Sequence, residues 1–65
     1  VTEIKWLICK NGVWKVISSS ELKDEIHDGF ANCQIWRLIY GKQPESRYVD
    51  GWGMVRDIFG NTEVL

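Results

Sequence analysis

Asn11-Gly12 is the feature that most constrains this chain. It lies between two runs rich in β-branched and aromatic residues, TEIKWLIC (2–9) and VWKVI (13–17). A favoured two-residue hairpin turn needs positive φ at both central positions, and Asn followed by Gly tolerates this best. The spacing predicts two antiparallel strands and a tight turn. In the first strand Ile4, Trp6 and Ile8 share one face, and Lys5, Leu7 and Cys9 the other.

A helix is predicted next, in SSSELKDEIHDGF (18–30). Ser18 and Glu21 form a capping box, in which the Ser hydroxyl accepts from an early helix N–H and Glu21 reaches back to the cap. Leu22 and Ile26 stand at i and i+4 and make a narrow apolar seam. Gly29 supplies the left-handed residue that closes the helix, with Phe30 packing back on the last turn. A helix of little more than two turns is unstable alone, so Leu22 and Ile26 are expected to bury against the hairpin.

QIWRLIY (34–40) is a strand with two apolar faces, Ile35 and Ile39 flanking Arg37 on one and Trp36, Leu38 and Tyr40 on the other. Such strands are central in a sheet, or bare on one side for a partner. GKQPESR (41–47) is read as a loop. Asp50 is read as the cap of a second short helix through GWGMVRDIF (51–59), with Trp52, Val55, Ile58 and Phe59 on a shared face and Gly51 and Gly53 weakening its first turn. The tail TEVL (62–65) is disordered or an edge strand. No internal repeat, low-complexity tract or linker divides the chain. The expected fold is therefore α+β: a single small domain over 1–65, a β-β-α-β module whose antiparallel sheet carries one packed helix, followed by a short C-terminal helix.

At 65 residues the core is small, and four Trp, two Tyr and two Phe point to aromatic packing as its main support. Room for two or three buried indoles leaves about one to face a partner. Net charge is −1, and the cations Lys5, Lys10, Lys15, Lys23, Arg37, Lys42, Arg47 and Arg56 are scattered, which disfavours nucleic acid as a ligand. A nucleic-acid reading would need Lys5, Lys15 and Arg37 on one face beside a stacking Trp. No apolar run approaches the roughly 18 residues of a membrane span. The chain is read as soluble and cytoplasmic, with no membrane contact.

Catalytic chemistry is not legible. His27 beside Asp28 could pair with a carboxylate, but the nearby serines are used by the cap and no nucleophile or pocket is implied. Glu21, Asp24, Glu25 and Asp28 lack calcium-loop spacing and form a solvated helix face. GWGM (51–54) is followed by no Lys-Ser or Lys-Thr and holds no phosphate. Cys9 and Cys33 are read as reduced core thiols, since neither has a second Cys or a His at ligand spacing. Neither an enzyme nor a cofactor is expected.

The aromatics carry the remaining signal. Trp6 and Asn11-Gly12, then Ser18-x-x-Glu21-Leu22, Ile26, Gly29, Ile35-Trp36, Gly41 and Trp52 occur in an order that resembles the bacterial GYF-like domains, over residues 6–52. The chain departs from that pattern in Val16-Ile17 before the Ser, in Leu7 after Trp6 and in lacking the Gly-Tyr-Phe signature. The resemblance implies a β-β-α-β module that binds partners, in the better-known relatives proline-rich peptides, through an aromatic patch. Protein or peptide binding through Trp36 and Trp52, with Tyr40 and Tyr48 at the rim and Trp6 nearby, is accordingly the first expectation. The alternative is a small regulatory protein of phage or mobile-element type. It would modulate a host enzyme or nucleic-acid machine through the acidic face of Glu21, Asp24, Glu25 and Asp28.

Overall fold

The computed structural model describes residues 3–63 and 65. In chain order the elements are β1 (Ile4–Lys10), β2 (Val13–Ser18), α1 (Ser19–His27), β3 (Cys33–Ile39), β4 (Glu45–Val49), β5 (Val55–Arg56) and β6 (Thr62–Glu63). The strands make one antiparallel sheet in the order β2-β1-β3-β4-β5-β6. Asn11 and Gly12 have φ of 54° and 78°, the doubly positive turn that the sequence predicts.

Register sorts the side chains. Residues directly opposite one another in an antiparallel pair point to the same side. Trp6 stands against Ile17 and Arg37, Cys33 against Val49, and Val49 against Val55, which defines the inner face. There α1 packs through Leu22, and the core consists of Trp6, Ile8, Ile17, Leu22, Ile35, Val49 and Val55. The indole N–H of Trp6 donates to Ser19 Oγ at 2.9 Å, so the ring is buried without an orphaned donor.

The helix begins and ends close to expectation. Glu21 N–H donates to Ser18 Oγ at 3.3 Å, and Glu21 Oε1 accepts from the same hydroxyl at 3.2 Å. Glu21 therefore closes the box on the Ser side chain. At the other end Phe30 N–H reaches Glu25 O at 2.9 Å and Gly29 N–H reaches Ile26 O at 3.0 Å, a Schellman stop with Gly29 at φ 100°. Phe30 packs against the core.

Two expectations are corrected. Residues 45–47, read as loop, open strand β4. Its inward side chains are Glu45, Arg47 and Val49, and the first two meet charged partners, so hydrophobic alternation could not reveal the strand. The short C-terminal helix over 51–59 is absent, and two hairpin loops around β5 stand in its place. Asp50 N–H bonds Met54 O at 3.0 Å and Gly53 N–H bonds Asp50 O at 3.1 Å, with Gly53 at φ 76°. This is a type I turn followed by a left-handed glycine, the common three-residue hairpin loop. A type I turn and the first turn of a helix share their backbone angles, and only the positive φ at Gly53 separates them. Of the tail, Thr62–Glu63 pair as edge strand β6; Val64 lies outside the described residues.

Candidate functional site

Among the described residues, none forms a layer over the sheet face turned away from α1. Register places on it Leu7 between Val16 and Trp36, Trp14 opposite Cys9, Lys5 between Ser18 and Leu38, Ser46 opposite Trp36, and Tyr48 between Gln34 and Arg56. Leu7, Trp36 and Leu38 are half-buried by neighbours on the same face, while Trp14 is 52% and Val16 56% exposed. Pro44 and Gln43, from the β3–β4 connection, close a shallow apolar cleft of about 330 Å³ over Leu7 and Trp36. An apolar stripe thus runs across three strands, from Val16 through Leu7 to Trp36, and ends against Ser46 of β4.

The predicted aromatics separate. Trp36 is at the centre of this face and Tyr48 at its β4 margin. Tyr40 lies just beyond β3 and is 96% exposed. Trp52 is 88% exposed at the tip of the β4–β5 loop and does not join them. Trp6 is only 2% exposed and belongs to the core, offering no contact surface. Sequence reasoning left Trp14, Leu7, Val16, Leu38 and Pro44 out of the site. The two-residue turn would have found three of them: closing the hairpin at Lys10 and Val13 aligns Cys9 with Trp14 and Leu7 with Val16.

The β5–β6 loop matches the β4–β5 loop. Asp57 N–H bonds Asn61 O at 3.0 Å, Gly60 N–H bonds Asp57 O at 3.0 Å, and Gly60 has φ 86°. In each loop the Asp Oδ1 accepts two backbone N–H groups at 2.9 Å, those of Trp52 and Met54 on Asp50, and of Phe59 and Asn61 on Asp57. These bonds hold both carboxyls below the ordinary aspartate value, led by the Met54 and Asn61 amides, with the Arg56 guanidinium adding to the first. Asp50-Gly51-Trp52-Gly53-Met54 and Asp57-Ile58-Phe59-Gly60-Asn61 are therefore a structural repeat that the sequence reading missed. Each presents an aromatic at its tip, Phe59 being 83% exposed.

A second groove, of about 610 Å³, lies on the helix side between Ile26, His27 and Phe30 and the Gly51–Gly53 loop. Lys23, Ala31, Trp52 and Leu65 complete its wall, so Trp52 lines this groove and not the open face.

The acidic helix face is partly spent. Lys10 Nζ bonds Glu25 at 2.8 Å and lowers its pKa, while Glu21 is engaged by Ser18. Asp24 and Asp28 remain exposed. On the inner face, Arg37 binds Glu45 at 2.9 Å and Glu63 at 3.2 Å, and the buried Arg47 binds the same two carboxylates. Arg37 depresses the Glu45 pKa. Lys15 and Arg37 point to the helix side and Lys5 to the open side, so the three cations a nucleic-acid reading requires do not share a face. Burial pushes the Cys33 thiol up, and register puts Cys9 and Cys33 on opposite faces. Both are free. Among the described residues no helix is long and apolar enough to cross a membrane. Comparison with known proteins gave no match to a family model, a curated protein or a solved structure.

Proposed function

We propose that this chain is a non-enzymatic binding module that takes a short segment of another protein on the open face of its sheet. The observation that carries the reading is the uncovered apolar stripe Val16–Leu7–Trp36 with Pro44 above it. A sheet apolar on both faces is stable when both are covered, and among the described residues only α1 supplies a cover. Size selects the occupant. Three strands about 4.8 Å apart and about five residues long give a plan area of roughly 240 Å². Stable contacts between globular proteins bury about 800 Å² per partner, so a peptide segment fits better than a folded surface. The order of features that resembles GYF-like domains supports the same reading.

Selection from a displayed library of random peptides tests this. Enriched peptides should lose at least about tenfold in affinity with Leu7→Lys or Trp36→Ala, since removing a central anchor costs 2 kcal/mol or more. They should be indifferent to Trp52→Ala. Binding that survives both open-face variants but is lost in Asp24→Lys with Asp28→Lys would move the function to the acidic helix face.

A further inference from the structure

The sheet has two edges, and they differ. β6 is two residues long and tied down by the Glu63 ion pairs. β2 is six residues long, contains no proline, and exposes Val13, Trp14, Lys15 and Val16 in succession. Natural edges are usually shortened, bulged, covered or studded with charge, because unpaired strand groups recruit other strands. β2 carries one such guard, Lys15.

The hairpin decides which backbone groups are open. A two-residue turn makes its flanking residues, Lys10 and Val13, a hydrogen-bonded pair. Alternation then gives Ile8–Lys15 and Trp6–Ile17 as hydrogen-bonded pairs with β1. The N–H and C=O of Trp14 and Val16 must point away from β1, into the open edge. Ser18, next in the series, caps α1. No turn or loop bond reaches Trp14 or Val16 among the described residues. Two donors and two acceptors thus stand in a row beside two exposed apolar side chains.

We infer that β2 is a strand-addition site, and that its ligand is an extended segment with an apolar–acidic–apolar core. This rests on the binding-module reading and specifies its mode. The added residues opposite Trp14 and Val16 turn their side chains to the open face, extending the stripe through Leu7 to Trp36. The residue between them faces Lys15 on the helix side, at the close spacing of a non-hydrogen-bonded pair. Lys15 makes no ion pair among the described residues, so an acidic residue complements it. The added strand runs antiparallel to β2, so the residues opposite Trp14 and Val16 exchange both backbone bonds with them.

A second copy of the chain fits less well. Two-fold pairing of β2 with itself must place residues of like facing opposite each other. Lys15 would then meet Lys15, Val13 or Ile17 of the other copy, according to register, and none of these is acidic.

The test is an amide-resolved NMR titration of the whole chain with the capped peptide Ser-Thr-Val-Glu-Val-Thr-Ser. On binding, the Trp14 and Val16 amides should slow in hydrogen exchange at least about tenfold while the Lys15 amide, already bonded to β1, stays unchanged. N-methylation of the two peptide valines should weaken binding by about tenfold or more. Glu-to-Lys in the peptide should weaken it about fivefold, and Lys15→Glu in the protein should reverse that preference. Val16→Pro removes one outward N–H that an edge strand can spare, and should abolish the protection with the fold intact.

Unaltered Trp14 and Val16 exchange at saturating peptide, or indifference to N-methylation while Trp36→Ala still abolishes binding, overturns strand addition and leaves the open-face reading standing. Absence of binding by this peptide overturns the strand-addition inference, and library selection then decides the open face separately. Protection of Trp14 and Val16 that grows with protein concentration and without peptide would make the occupant a second copy, against the inference.

Discussion

Gly53 and Gly60 occupy the same position in two matching loops, both with positive φ, yet their surroundings differ. A Cβ on Gly60 would meet open space, whereas one on Gly53 would stand 2.8 Å from Ile26 Cγ2 of the helix. Gly60→Ala is expected to cost about 1 kcal/mol, the left-handed penalty alone. Gly53→Ala should cost at least about 1 kcal/mol more, because the added methyl overpacks the helix contact. Denaturant midpoints at constant slope would measure both, and an Ile26→Ala background should shrink the excess at Gly53 only. Equal costs in the starting background would mean that the β4–β5 loop is not pressed on α1. The same residue pair shows what the sequence hid. Asp50 looks like a helix cap because turn and helix begin alike, and the second Asp-x-aromatic-Gly at 57–60 was the clue to a loop.

Among the elements, the polar strand β4 and the two-residue β6 are held by side chains that hydrophobic patterning ignores. Arg47 is buried between Glu45 and Glu63 and joins β4 to β6. Arg47→Ala should destabilise the chain by about 2 kcal/mol, since a buried side chain and its charge-assisted bonds are lost while Arg37 still holds both carboxylates. Hydrogen exchange should quicken most at the β5–β6 pairing of Val55 with Glu63. Uniform loss across all strands would show that β6 is no separate unit. By contrast, β1, β2 and α1 were legible because their signals are local: Asn11-Gly12 sets a turn, Ser18 a start and Gly29 a stop. The boundaries of β3 differed by one residue at each end, as Tyr40 belongs to the turn.

For the whole molecule, the charged contacts set a pH window. Asp50, Asp57, Glu25 and Glu45 sit below their ordinary values of 3.8 for Asp and 4.5 for Glu. Their contribution is complete above those values and is lost as pH falls through the lower folded-state pKa values. Lys5 and Lys10 sit above 10.5, so theirs is complete below that value and is lost as pH rises through the folded-state pKa values. Cys33 is also raised, above 9.0, so its contribution is lost as pH rises past that value. Urea midpoints should therefore form a plateau between about pH 5 and about pH 8 and decline on both sides, modestly because the ion pairs are exposed. A midpoint that rises on acidification would contradict the sign.

Local chemistry determined the first half of the chain. The Asn11-Gly12 turn, the Ser18 cap and the Gly29 stop act over three or four residues, and the two-residue turn even aligned β1 with β2. Tertiary structure alone decided which indole is buried, because Trp6, Trp14 and Trp36 are equally apolar and only α1 distinguishes the faces. It also decided that β4 is a strand, since Glu45 and Arg47 become inward residues only once Arg37 and Glu63 are brought opposite them. The candidate site follows the same division. Its residues were visible in the sequence, but an uncovered face exists only after one helix has covered the other.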